Sequence, residues 1–200
     1  AGVRIFISGP SGVGKSTIIR EILEHNGDIV LSVSYTTREP RPGEKDGREY
    51  FFIGRREFEG MMENNEFLES AHVHSNFYGT SLAWVEGMEK RGRHILFDID
   101  VQGVRQAKEK GSPGVFILIV PPTLDDLRKR LAKRGTENGD DLRVRLANAT
   151  EELRAWGMYD YLVVNDDVET ATREALSIID AHRCSREEII GRIPWLQKIA

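Results

Sequence analysis

Residues 7–17 read ISGPSGVGKST, and no other stretch constrains the fold as tightly. Gly9, Gly14, Lys15 and Ser16 satisfy the spacing G-x-x-x-x-G-K-S. That spacing carries meaning only between a strand and a helix. Both are predicted here. VRIFIS (3–8) is an apolar strand, and STIIREILEH (16–25) places Ile18, Ile19, Ile22 and Leu23 on one helical face. The chemistry of each residue then follows. Glycines let the backbone turn so that several N–H groups point at anionic oxygens. The helix start adds its positive end. Lys15 supplies a mobile cation for terminal phosphates, and the Ser16 hydroxyl can ligate Mg²⁺. The turn therefore holds a nucleoside triphosphate, through Ser11, Gly12, Val13, Gly14, Lys15, Ser16 and Thr17.

The rest of the chain alternates. Apolar strands are predicted at LSVSYTT (31–37), HILFDID (94–100), GVFILIV (114–120) and YLVVN (161–165), with helical stretches between them. Alternation of this kind implies an α/β fold, with a mostly parallel sheet flanked by helices. Two segments break the rhythm. Residues 35–80 are rich in Arg, Gly, Glu and aromatics, and RGTENGDD (134–141) is polar. The expected organisation is a P-loop core of residues 1–34 and 81–200, an inserted lobe at 35–80, and a short lid within about 134–145.

Bulk properties exclude several classes. With 200 residues, 40% hydrophobic, the chain can build one compact core. A net charge of −4 argues against bulk attraction to nucleic acid or to a membrane surface. The longest apolar run, VFILIV, is far too short to span a bilayer, and AGVRIFIS does not read as a signal peptide. Cys184 is the one cysteine, so no disulfide forms within the chain, which fits a reducing cytoplasm. Monomer and homodimer both stay open.

A triphosphate site does not name a reaction. VVNDD (163–167) lacks the lysine of a GTPase guanine reader. Residues 128–145 instead carry seven Lys or Arg against three acids, a local charge of +4. Such a run is usually a solvated helix face. Arg134 and Arg145, however, flank a Gly-containing loop, and phosphoryl transfer is mostly positioning and charge neutralisation.

The insert makes a specific resemblance visible. SYTTREPRPGEKDGREYFF (34–52), EFLE (66–69), YGTS (78–81), DIDVQG (98–103) and NDD (165–167) stand in order beside the P-loop. In these pieces the chain resembles the guanylate kinases. The resemblance runs from Val3 to about Cys184. It implies transfer of the γ-phosphoryl group of ATP to GMP with Mg²⁺, in purine nucleotide metabolism. It also implies residue roles. Arg38, Arg41, Tyr50 and Tyr78 would hold the GMP phosphate, suited to it by bidentate guanidinium forks and uncharged hydroxyl donors. Ser34, Glu69, Thr80 and Asp100 would read guanine, whose pairing edge offers two adjacent N–H donors to a carboxylate. Asp98, at the carboxyl edge of the sheet, would orient Mg²⁺ through water or anchor the lobe on the GMP side. Lys15, Arg38, Arg134 and Arg145 would be catalytic. Asn165 would sit near adenine, with a turn asparagine as the equal alternative.

Other residues attract blander readings. His72 and His74 alternate on a strand, which alone is weak ground for a metal pair. Met61 and Met62 read as packing, and Trp84, Trp156 and Trp195 as core or helix-packing residues. Thr80 stands where the resemblance often has serine, and the hydroxyl is kept. Val144 stands where a second basic residue is common. The rival from another class is a guanylate-kinase-like phosphopeptide-binding module. Such modules typically lack the Gly-Lys-Ser turn and the lid arginines, which this chain keeps.

Overall fold

The computed structural model describes residues 2–134 and 139–199, with side chains at 134, 139, 140 and 194 outside that description. Five strands form a parallel sheet: β1 (Arg4–Ser8), β2 (Ile29–Leu31), β7 (His94–Asp98), β8 (Val115–Val120) and β9 (Tyr161–Val164). Their order is β2-β7-β1-β8-β9, so β1 lies at the centre. Its neighbours pair in parallel, with Ile5 opposite Leu96 on one side and Val115 on the other. A strand buried on both faces must be apolar at every position, and RIFIS is nearly so.

Strand alternation sends successive side chains to two different cores. Ile5 and Ile7 join Ile18 and Ile22 of α1 (Lys15–His25) and Ala171, Ala175 and Ile179 of α7 (Val168–Arg183). Phe6 points the other way and stacks between Phe97 and Phe116, at centroid distances of 4.5 and 4.3 Å. Helices α3 (Leu82–Lys90) and α4 (Val101–Glu109) close that face through Val85, Val104 and Ala107. Helices α5 (Leu124–Arg134) and α6 (Gly139–Arg154) share a smaller core of Leu127, Leu131 and Ala149. The chain ends in α8 (Arg186–Arg192) and a 3₁₀ turn.

A second sheet has the order β4-β3-β6-β5. Its strands are β3 (Tyr35–Thr36), β4 (Phe51–Phe52), β5 (Phe67–Val73) and β6 (Asn76–Ser81). Helix α2 (Arg55–Glu63) covers it with one fully buried residue, Phe58, stacked on Phe67 and Phe77 at 4.4 and 5.5 Å.

Two expectations are corrected. Residues 31–37 are not one strand. β2 belongs to the parallel sheet and β3 to the second sheet, with Ser32–Ser34 between them. Ser32 N still reaches Leu96 O at 2.8 Å, whereas Ser34 O already accepts from Phe51 N at 2.9 Å. The chain changes partners there, and local β propensity does not register a change of partner. Trp156 and Trp195 are not core residues, being 62% and 58% exposed, whereas Trp84 does pack against the Phe6 side of the sheet.

Candidate active site

The carboxyl ends of β1 and β7 converge on the turn of residues 9–14, the usual position of a ligand crevice in an open α/β sheet. Gly14 adopts φ 96°, in the left-handed region, and precedes α1 without any side-chain cap. The first N–H groups of α1 therefore stay available to an anion. Val13 turns its side chain into the core and leaves only its backbone to the turn.

The turn rests on struts. Asn165 is 2% exposed. Its Nδ2 donates to Val13 O at 2.7 Å, and its own N–H donates to Val120 O at 2.8 Å. Arg130 donates from Nη2 to Asn165 O at 2.8 Å and from Nη1 to Val13 O at 3.3 Å. Asn165 thus ties β8 and β9 to the floor of the phosphate turn. Arg130, one of the seven basic residues of 128–145, is built into the same floor, and no local pattern distinguished it from its neighbours.

Above the floor, Lys15 Nζ pairs with the Asp98 carboxylate at the end of β7. The structure thus sets Asp98 against the phosphate turn. Ser16 and Asp98 line one cleft. The turn, Lys15 and Ser16 share another, of about 280 Å³, with Asp100 and Glu152. Glu152 on α6 was not anticipated. Its half-burial raises its pKa, while Lys15 lowers and Asp100 raises it by smaller amounts.

Asp100 caps α4 by accepting from Gly103 N at 2.8 Å. It also faces the second sheet, where three of the expected residues meet. Thr80 Oγ1 donates to Glu69 Oε1 at 2.7 Å and lies 3.3 Å from Ser34 Oγ. Glu69 is 8% exposed. Burial raises its pKa first, Asp100 raises it further, and the Thr80 hydrogen bond lowers it in part. A buried carboxylate held, among the described residues, only by the hydroxyl and the backbone N–H of Thr80 retains lone pairs for other donors.

Further along the same sheet, Arg38 Nη2 contacts both Glu44 oxygens, at 2.9 and 3.0 Å. Glu44 Oε2 also accepts from Arg41 N at 2.7 Å, and these bonds lower the Glu44 pKa, Arg38 contributing most. The Arg38 guanidinium lies 5.4 Å from the Tyr50 ring centroid, and the Tyr50 and Tyr78 rings are 5.8 Å apart. Arg38, Tyr50 and Tyr78 are therefore brought together, with Arg41 beside them on an exposed loop. Glu44 was missed by sequence reasoning. Its position three residues after Arg41 was the available signal.

Arg145 is half-buried on α6. The Arg134 side chain lies outside the described residues, as do residues 135–138 of the segment expected to form the lid. Among the described residues no group of three or more His, Cys, Asp and Glu side chains could hold a metal ion. No helix is long and apolar enough to cross a membrane, among the residues described.

A parallel sheet carrying a strutted turn at its carboxyl edge, with an arginine–tyrosine cluster and a buried carboxylate on an attached sheet, has the architecture of a P-loop nucleotide kinase. Comparison with known proteins narrows this. The guanylate kinase family profile matches residues 2–182. A guanylate kinase from Clostridium perfringens (strain SM101 / Type A) is 45% identical over 183 residues, covering 92% of this chain and 85% of the relative. One from Lactococcus lactis subsp. lactis is 44% identical over 191 residues, covering 96% and 93%. The crystal structure of guanylate kinase from Anaplasma phagocytophilum aligns with a TM-score of 0.69 at 35% identity, over 92% of this chain and 88% of that one. The chain belongs to the guanylate kinase family.

Proposed function

We propose that the two ends of this cleft divide the transfer of the γ-phosphoryl group from ATP to GMP, yielding ADP and GDP. The turn of residues 11–17 takes the ATP phosphates on its backbone N–H groups, with Lys15 exchanging Asp98 for the terminal phosphates. GMP lies against the second sheet. Its phosphate meets Arg38, Arg41, Tyr50 and Tyr78, and its guanine meets Glu69, Thr80, Ser34 and Asp100. Glu44 holds Arg38 extended before substrate arrives.

The observation that carries this reading is the Ser34–Thr80–Glu69 chain, half-buried at Ser34 and buried at Thr80 and Glu69. It presents a carboxylate that a donor pair would satisfy, and Asp100 links it to the triphosphate turn. Adenine, uracil and thymine lack two adjacent donors on the pairing edge and would leave that carboxylate desolvated and unpaired.

A Mg²⁺ ion fits the donor set. The Ser16 hydroxyl and the Asp98 carboxylate are hard oxygen ligands on one cleft, and magnesium commonly uses one or two protein oxygens plus substrate phosphates. Bound with ATP, the ion would neutralise charge on the transferring phosphoryl group. Arg134 and Arg145 would add cations from the lid as charge spreads in the transition state. The lobe at 35–80 and the lid at about 134–145 would close over both nucleotides and exclude water, which otherwise competes as acceptor.

ADP release measured with GMP, AMP, UMP and dTMP in turn tests the proposal. Turnover with GMP far above the rest is expected. Comparable turnover with AMP would overturn it.

A further inference from the structure

The second sheet ends on β5, and an edge strand presents backbone groups that need partners. Helix α4 of the parallel-sheet core supplies them. Gln106 Oε1 accepts from Ser70 N at 2.9 Å, and Gln106 Nε2 donates to Ser70 O at 2.8 Å. The side-chain amide thus takes the place of a neighbouring strand. Beyond the end of the helix, Lys110 Nζ donates to Phe67 O.

These contacts bracket Glu69. Phe67 pairs with Ser81 and Glu69 with Thr80, so Leu68 is an extra residue in β5. A bulge of this kind re-aims the side chain beside it and interrupts the ladder that would otherwise fix its direction. Helix α4 restores what the ladder loses. Gly103 stands on the same side of α4 as Gln106, and a Cβ there would lie 3.5 Å from Glu69 Oε2, so the carboxylate rests against the helix. Asp100 caps that same helix. One rigid element therefore carries the cap, the seat and the clamp.

We propose that Gln106 is a positioning residue for guanine recognition: its amide holds Ser70 by both backbone groups and so fixes the bulge that aims the Glu69 carboxylate. The inference rests on Glu69 as the guanine acceptor. A tie that merely joined the second sheet to the core would weaken all acceptor nucleotides alike. A positioning clamp makes a sharper demand. Inosine monophosphate keeps the phosphate, ribose and ring N1–H of GMP but lacks the 2-amino donor. Misaiming Glu69 should remove the advantage that the second donor confers.

The experiment compares kcat/KM for GMP and for inosine monophosphate in the wild type, Gln106→Ala and Gln106→Glu. The alanine variant leaves both Ser70 groups unpaired. The glutamate variant keeps the side chain's size but sets a carboxylate against the Ser70 carbonyl. Both should lower the GMP-to-IMP ratio roughly tenfold, with KM for ATP unchanged, since a misplaced acceptor forfeits one buried hydrogen bond. A wild type that uses both nucleotides equally would refute the reading of Glu69 itself. A selective wild type with an unchanged ratio in both variants would show that Gln106 positions nothing. Loss of the cooperative melting transition in both variants would make Gln106 structural and overturn the proposal as well.

Discussion

Replacing Glu69 by Gln separates recognition from stability. The carboxylate is 8% exposed and is hydrogen-bonded by Thr80, through its hydroxyl and its backbone N–H. Glutamine keeps an oxygen for Thr80 but turns an NH₂ toward a guanine donor. One hydrogen bond to a charged acceptor, about 1.5–3 kcal/mol, is lost, and an unpaired buried donor costs about 1–3 kcal/mol more. At about 1.36 kcal/mol per decade, kcat/KM for GMP should fall roughly 10²–10⁴-fold. Stability should respond differently. Burial raises the Glu69 pKa above its ordinary 4.5, so the fold favours the neutral form. That preference stabilises the protein below pH 4.5 and is lost as pH rises through the elevated folded value. The ionised carboxylate is therefore a burden on the fold that a neutral amide does not carry. Steady-state kinetics at saturating ATP should show the loss with GMP, while the melting temperature stays level or rises. Unchanged GMP kinetics would remove Glu69 from the guanine site. A collapse in melting temperature would show that its charge holds the lobe together, contrary to the burial argument.

Further predictions follow the same logic. Lys15→Ala should cut kcat by about 10²–10³ or more, as when a preorganised phosphate donor is removed. Its partly exposed pair with Asp98 contributes little to folding, so the melting curve should barely move, and near-normal turnover would refute the phosphate role. Gly14→Ala would place a Cβ 2.3 Å from Asn165 Nδ2 at φ 96°, so it should weaken binding of a non-hydrolysable ATP analogue and lower stability by about 1–2 kcal/mol or more; equal binding and melting would show that the strut is not needed. His94 accepts from Val3 N at 3.0 Å, and its pKa is lowered by burial first and by Arg183 second, with Asp28 opposing. Its contribution to stability should be complete above pH 6.5 and lost as pH falls through its folded value, so the melting temperature should drop on acidification, and less steeply in His94→Gln.

Much of this protein could be read from the chain. The phosphate turn is legible because its determinants are local: glycines for the backbone path, then a lysine and a hydroxyl at fixed offsets. The parallel core is legible because strands buried on both faces leave continuous apolar runs such as VFILIV. Arg38, Tyr50, Glu69 and Thr80 were singled out through motif resemblance, since their spacing alone carries no periodic signal.

What only the tertiary structure decided depends on contacts between distant segments. Residues 31–37 divide between two sheets because Leu96 and Phe51 compete for one chain, and neither is near in sequence. Asn165 lies 152 positions from the Val13 carbonyl that it supports, so a turn asparagine and a phosphate-loop strut look alike until the sheet closes. Arg130 looked like any other cation in a basic run until β9 came beside it. The elevated pKa of Glu69 arises from burial against α4 and from Asp100, 31 positions away in the chain. Gln106 reads as an ordinary helix residue until an edge strand offers it an N–H and a carbonyl at once. Local chemistry can be encoded in a short word of sequence, but the direction of a buried carboxylate is set by partners that only folding brings within hydrogen-bond reach.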